Sequence, residues 1–318
     1  MKTSIAISYA DLEVQLEALE RAQLPAYKGS AFRGALGHSL RTLICTSRDK
    51  DCIECSQKYD CAYSYIYETP PPKNTRLLPK YDNAPHPFIF DPAPGDQTIF
   101  LQGENLPYRL LLFGQAIKYL PIFTFALANM AGRGLGAKKY RFRLDKVLGT
   151  AGENKKAVIY DYKEQVVRTE RLKTQILQLE EPKNGTKAVR IKFITPCRIQ
   201  YEGHVSKALE FHILVRNLLR RISLMNYFHG NGINPEMDFK QIIDRARGIR
   251  MEMTSLEWKD WQRYSNRQQS KIEMGGFVGE AVYTGDLAEF MPLLKLGEAL
   301  HIGKGTVFGL GKYECQKA

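Results

Sequence analysis

A repeated punctuation near the end of each half constrains this chain more than any other feature. Gly134-Leu135-Gly136 is followed by Tyr140, and Gly309-Leu310-Gly311 by Tyr313. Each copy closes its half, follows a helix-like run and opens a strand-like one, which is the order expected of a duplicated α+β unit. With 318 residues, 44% hydrophobic and 25% charged, the chain is long enough for two such units of ordinary size.

Val14, Leu16 and Ala18 alternate as in a strand, while Leu12, Leu16 and Leu19 fit a helix, so residues 10–20 remain open between the two. Pro25 and Gly29 then mark a turn. Ser30 is expected to cap a helix whose apolar stripe is Phe32, Leu36, Leu40, Leu43 and Ile44. His38 and Arg41 are three residues apart and share a face of it. From Glu68 to Pro94 the prolines Pro70, Pro71, Pro72, Pro79, Pro85, Pro87, Pro92 and Pro94 remove backbone donors and predict a long extended crossing. Leu110 to Met130 reads as a buried helix broken near Pro121. After Gly132-Arg133-Gly134-Leu135-Gly136, Lys139, Arg141 and Arg143 alternate with Tyr140, Phe142 and Leu144, a strand with one basic face and one apolar face. The polar stretch Glu180 to Gly185 divides the chain into domains of residues 1–184 and 185–318. In the second, Ser206 to Phe228 is expected as an amphipathic helix with Leu209, Ile213, Leu218 and Ile222 inward and Arg216, Arg220 and Arg221 outward.

Lysine and arginine number 46 against 34 acidic residues, a formal charge of +12. That balance favours a polyanionic partner, although basic surfaces also occur on proteins that bind no nucleic acid. The first residues lack the apolar run of a secretion signal, and no stretch approaches the roughly 20 apolar residues of a spanning helix. A cytoplasmic location, without a membrane partner, is therefore expected. In that reducing setting a disulfide framework is not expected of the six cysteines. Cys45, Cys52, Cys55 and Cys61 form a Cys-x6-Cys-x2-Cys-x5-Cys group, which suits a closed, structural and non-catalytic zinc site. Four thiolates could also hold an iron–sulfur cluster, and buried or fortuitous cysteines are the plain alternative. Cys197 and Cys315 stand apart. Gly303-Lys304-Gly305-Thr306 lacks the upstream glycine of a phosphate-binding P-loop, which argues against nucleotide hydrolysis.

Gly275-Gly276-Phe277-Val278-Gly279, Tyr283-Thr284-Gly285, and Leu293-Leu294-Lys295-Leu296-Gly297 leading into Gly303 to Gly311 resemble the CRISPR-associated precursor-RNA endoribonucleases of the RAMP superfamily. The first half is similar to the same family through Tyr27-Lys28-Gly29-Ser30, Phe32-Arg33-Gly34, the cysteine group, Tyr67-Glu68-Thr69-Pro70 and Pro85-His86-Pro87-Phe88. The resemblance implies an α+β fold of two tandem ferredoxin-like (RRM-like, βαββαβ) domains, the cysteines forming an insertion in the first. It also implies metal-independent cleavage of the CRISPR repeat in precursor transcripts to give mature guide RNAs. The RNA's own 2′-hydroxyl would be the nucleophile, leaving a 2′,3′-cyclic phosphate and a 5′-hydroxyl. Repeat RNA is the expected partner, and a CRISPR effector complex a further one.

Such a cut needs a base for the 2′-hydroxyl, an acid for the departing 5′-oxygen and positive charge on the phosphate. Histidine suits the first two because its ordinary pKa lies near neutrality. The resemblance puts the catalytic histidine on the first helix, where His38 matches by position. Tyr27 is then expected as a proton-transfer or orienting group, and Lys28 or Arg41 as the phosphate stabiliser. The plain alternative for His38 is a surface histidine between Gly37 and Ser39. His204, His212, His229 and His301 are weaker candidates, His301 because it adjoins a glycine loop and could touch RNA.

In the two glycine loops, Gly303, Gly305, Gly309 and Gly311 would let backbone donors approach phosphate, and Arg133, Lys138, Lys139, Lys304 and Lys312 would add charge. These are the candidate RNA-binding residues, the alternative being a tight strand entry that needs positive φ. Tyr140, Phe142, Phe308 and Tyr313 could stack on bases, but their alternation with basic residues turns the aromatic side inward. Two further readings share these features. One is a non-catalytic RNA-binding subunit of an effector complex. The other is a zinc-containing scaffold that binds proteins through the proline-rich crossing and shows no salt-sensitive RNA affinity.

Overall fold

Residues 7–18 form a strand, because only a period of two separates their apolar side chains from their charges. In this computed structural model β1 (Ile7–Ala18) buries Ala10, Leu12, Val14, Leu16 and Ala18 on one face. Asp11, Glu13 and Glu17 lie on the other, paired with Arg109, Lys156 and Arg143. The structure describes residues 5–47, 51–73, 75, 84–92, 97–152, 155–182, 185–235, 237–265 and 270–318. Met1 to Ser4, Pro79 and Pro94 of the proline-rich crossing, and Lys183 and Asn184 at the expected domain boundary lie outside them.

Two compact units emerge: residues 7–176 with 228–230, and residues 177–227 and 231–318 with Ile5 and Ala6. In the first, β1 is the central strand of an antiparallel sheet. It is flanked by β3 (Asn105–Phe113) on one side and β4 (Phe142–Gly152) on the other. β2 (Phe88–Pro92) pairs with β3, and β5 (Lys155–Asp161) extends the far edge, so the order is β2-β3-β1-β4-β5. A short sixth strand, Gln175–Leu177, also pairs with β1. The chain passes from β1 to β2 through α1 (Gly29–Ile44) and from β3 to β4 through α2 (Leu120–Arg133). The two helices pack on each other, and Phe32 of α1 packs on the sheet, its ring 5.0 Å from Tyr108 of β3 and 6.2 Å from Phe90 of β2.

The second unit repeats this plan. β6 (Ala188–Cys197) is central, between β8 (Gly276–Thr284) and β9 (Tyr313–Lys317), with β7 (Arg250–Thr254) outside β8. α3 (Phe211–His229) and α4 (Met291–Leu300) are its crossovers. Both units are thus βαββαβ with the same 2-3-1-4 strand order, the ferredoxin-like arrangement. Two buried tyrosines connect sheet to helix side. Tyr283 donates to the Leu209 carbonyl at 2.6 Å, and Tyr313 of β9 to the Leu294 carbonyl at 2.6 Å.

Several expectations are corrected. Leu110 to Phe113 belongs to β3, not to a helix. A strand with neighbours on both edges and both faces covered at that end buries every side chain, so its apolar run lacks alternation. The helix begins only at Leu120, with Pro121 in its first turn, where a missing N–H costs nothing. Leu43, expected on the apolar stripe of α1, is exposed. Arg221 turns inward and donates to the Leu300 carbonyl at 3.1 Å, burial pushing its guanidinium down to about 10. Among the described residues no helix is long and apolar enough to cross a membrane.

Glycines at two positions separate backbone strain from crowding. Gly203 (φ 83°) faces open space, whereas a Cβ on Gly311 (φ 71°) would collide with the Ile302 carbonyl. Gly203→Ala should cost about 1–2 kcal/mol for the left-handed backbone alone. Gly311→Ala should cost a further ~1–3 kcal/mol for the forced displacement. Urea unfolding of both variants measures the difference, and equal losses would refute the steric account.

Candidate active site

α1 starts at Gly29 with Lys28 as its N-cap and no side-chain cap, so Ser30 does not play the capping part expected of it. The helix buries Phe32, Leu36 and Leu40 against the sheet. On the adjoining face, Gly37 accepts the Tyr67 ring so closely that any Cβ would overlap it. Tyr67 belongs to a single π-helical turn, Ser64–Glu68, and stacks on Tyr63 with ring centroids 5.4 Å apart. This packing leaves His38 on the solvent side of α1. Four residues earlier, Gly34 is exposed and a Cβ there would meet nothing, so the surface beside His38 is open.

His38 lies in the field of the N-terminal glycine loop. Partial burial, then Arg133 and Lys139, hold its imidazole below the ordinary histidine range. Arg133 ends α2, and Lys139 sits at φ 57° in the turn that follows, closed by the Leu135 and Tyr140 backbone pair. Gly134 has φ 96°, and a Cβ on it would strike the Lys139 backbone, so glycine is required to bring that turn together. Arg133, Lys138 and Lys139 are all exposed.

The other residues expected at the cut have different surroundings. Lys28 is only 6% exposed, its ammonium 3.2 Å from the Ala26 carbonyl and 5.8 Å from the centre of the Phe100 ring. Arg41 extends toward the cysteines, hydrogen-bonded to the Cys45 thiol and near Cys52 and Tyr63. Tyr27 is half-buried, and burial followed by the Asp91 carboxylate pushes its phenol well above the ordinary range. Cys45, Cys52, Cys55 and Cys61 line one small cavity, with burial and then Glu68 raising the Cys52 thiol to about 11.

In the C-terminal loop, Gly303, Gly305, Gly309 and Gly311 all have positive φ. Several of the loop's backbone donors are already spent inside the protein. Lys304 N–H donates to Arg198 at 2.8 Å, Gly309 N–H to Thr306 at 2.8 Å and Gly311 N–H to Pro196 at 3.0 Å. Gly309 and Gly311 are buried, while the Lys304 side chain is exposed. Phe142, Phe308 and Tyr313 fill cores, at 1%, 8% and 1% exposure. His301 is buried as well and donates through Nδ1 to the Leu310 carbonyl at 3.2 Å, so it holds the loop and is not on the surface. His212 and His229 are buried, the latter with Nε2 2.6 Å from the Pro85 carbonyl, and His204 lies in a short hairpin.

One group was missed in the sequence. Arg33 donates to the Tyr67 hydroxyl at 3.0 Å and reaches His86 Nε2 at 3.1 Å, while His86 Nδ1 lies 2.8 Å from the Thr69 hydroxyl. The guanidinium also stacks 4.3 Å from the Tyr67 ring centre. Arginine has no acceptor, so Nε2 must accept and the His86 proton sits on Nδ1. Arg33, Tyr67, Thr69 and His86 all occur in the segments that carry the family resemblance, but their separation in the chain conceals that they meet.

Two family models match the chain: the AF_1859_N N-terminal domain over residues 7–172, and the CRISPR-associated endoribonuclease Cas6 over residues 191–313. An uncharacterised protein of Archaeoglobus fulgidus is 25% identical over 302 residues, covering 92% of this chain and 93% of its own length. Among solved structures, a partial Cas6-RT-Cas1–Cas2 complex matches all of this chain with a TM-score of 0.59 at 13% identity. The chain spans 47% of that protein's length. A Cas6 product complex matches 97% of this chain and 100% of its own, with a TM-score of 0.57 at 16% identity. At these identities the structural likeness shows the fold.

The half-buried contacts of His86 make a measurable claim on stability. His86→Ala removes one hydrogen-bond partner each from Arg33, which keeps Tyr67, and from Thr69, which keeps the Ile66 carbonyl, and should cost about 1–3 kcal/mol. An unchanged urea midpoint would mean that the network is incidental.

Proposed function

Because the chain belongs to the CRISPR-associated Cas6 endoribonucleases, with an AF_1859-type N-terminal domain, we propose that it binds the CRISPR repeat of a precursor transcript and cuts it at His38. Neutral His38 takes the proton of the 2′-hydroxyl, and the freed oxygen attacks phosphorus. The bond from phosphorus to the 5′-oxygen breaks, and that oxygen takes up a proton. The products are a 2′,3′-cyclic phosphate and a 5′-hydroxyl, which become the ends of a guide RNA and of its neighbour. No metal ion takes part in this scheme.

One observation carries the reading: the exposed imidazole of α1 shares its surroundings with the cations of the Gly132–Lys139 loop. Arg133 and Lys139 take the role of phosphate stabiliser in place of Lys28, which is buried, and Arg41, which is directed at Cys45. Two positive charges favour the neutral imidazole, the form a general base requires, and they also offset charge developing on the phosphorane. Tyr27 keeps its proton at neutral pH and, standing beside Asp91, is given no part in the cut. Lys138 and the separate Lys304 add attraction for the RNA backbone, which supports affinity that weakens as salt rises.

Incubating purified protein with labelled repeat RNA in chelator tests the proposal. His38→Ala should lower the cleavage rate by ~10²–10⁴-fold while RNA binding persists. Binding without cleavage by the wild type would move the reading to an RNA-holding effector subunit, and no binding at moderate salt would defeat both.

The pH profile supplies a separate check. The His38 pKa is lowered, so the neutral base persists as pH falls past the ordinary value of about 6.5. Activity should therefore decline only at lower pH. In Arg133→Ala/Lys139→Ala the repulsion is gone, and the acid limb should move upward. A limb that stays in place would show that neither cation acts on His38.

A further inference from the structure

We propose that Cys45, Cys52, Cys55 and Cys61 bind one zinc ion as a closed tetrathiolate site that anchors the end of the His38 helix. The cysteine segment has no apolar core of its own. Residues 51–60 form only turns, held by bonds such as Glu54 N–H to the Asp51 carbonyl and Lys58 N–H to the Cys55 carbonyl. Its apolar side chains, Ile53 and Tyr59, face solvent at 64% and 40% exposure. The side chains turned partly inward are Cys52, Cys55 and Lys58, three residues apart, and every other residue from 51 to 60 is exposed. Ordering such a segment costs backbone entropy that neither burial nor its few turn bonds offset. A metal crosslink offsets it directly, which is how small domains without a core of their own remain folded.

All four thiols open onto one cavity, lined also by Lys58 and by Ser64 of the π-helical turn. Cys45 caps the C-terminal end of α1, and Cys61 stands three residues before Ser64. Among the described residues no three histidine, cysteine, aspartate or glutamate side chains already converge to hold an ion. The thiols line the space without closing on it, and bound zinc would draw them to a zinc–sulfur distance of about 2.3 Å. Zinc with four thiolates carries two net negative charges. Arg41, hydrogen-bonded to Cys45, and Lys58 at the cavity wall supply compensating positive charge. This gives Arg41, directed at Cys45, a use outside the cut.

The consequence reaches His38 through packing. Fixing Cys61 to Cys45 sets the π-helical turn against α1, and Tyr67 of that turn occupies the notch at Gly37, next to His38. The cysteines are positioning residues in this scheme and touch no substrate.

Metal analysis of the full chain, purified without chelator, tests the proposal without reference to cleavage. Expected are one zinc ion per chain, its release by a mercurial that caps thiols, and thiolate-to-metal charge-transfer bands when cobalt replaces it. Cys52→Ser and Cys55→Ser should lose the metal, while Cys197→Ala, in the second unit, should retain it. Should the serine variants fail to fold, the wild-type metal content and cobalt spectrum still decide. A wild type without metal that takes up neither zinc nor cobalt would overturn the site. So would a mass two hydrogens short, showing a disulfide, or the visible absorption and iron content of an iron–sulfur cluster.

Discussion

The Tyr67 ring lying in the notch at Gly37 is the contact on which the first unit's functional surface depends. With no Cβ at 37, the aromatic ring reaches the helix backbone, and Arg33, one turn earlier, covers the ring and ties it to His86. α1 is therefore held from two sides. Phe32, Leu36 and Leu40 bind it to the sheet by apolar burial, worth about 1.5–3 kcal/mol for each large side chain. The polar network on the adjoining face fixes its rotation, because hydrogen bonds are directional where burial is not. His38 then has a single direction available to it, toward solvent and the α2 terminus.

Charge is distributed to leave that surface basic. The acidic stripe of β1 is neutralised locally by Arg109, Lys156 and Arg143. In the second unit Glu280 of β8 pairs with Arg190 and Lys192 of β6. The sheets thus consume many basic residues in pairs. Arg133, Lys138 and Lys139 stand exposed at a helix end that already bends into a tight turn, and Lys304 does so in the other loop. Glycine's first task in both loops is conformational. Positive φ and close backbone approach make the turn, and the turn in turn displays the lysines.

The duplication shows why so little sequence is shared between the halves. Both units reach the 2-3-1-4 order, yet the detectable echo is confined to the glycine loops and the tyrosine beyond them. A core position accepts any apolar residue of suitable volume. A backbone that must bend through positive φ against a neighbouring carbonyl accepts little besides glycine. Similarity therefore survives where backbone geometry dictates it.

Much of this was legible in the residue order. The α+β class, the doubled unit, the helix carrying His38 and the inward aromatic face beside the basic residues followed from period, punctuation and resemblance, all of which are local properties. The failures share one cause. Leu110 to Phe113 read as helix because a strand covered on both faces has no alternation, and its neighbours are distant in the chain. Lys28 and Arg41 were placed at the phosphate by nearness in the chain to His38, whereas Lys28 is buried and Arg41 is directed at Cys45. Only the packing of α1 against α2 brought Arg133 and Lys139 to the histidine, and only the return of the chain through Tyr67 and His86 formed the network around Arg33. By itself the sequence determined the local conformations and the inventory of chemical groups. Which groups share a site was decided by tertiary structure, because side chains separated by 34 to about 100 residues meet only after the sheet has set where each helix lies.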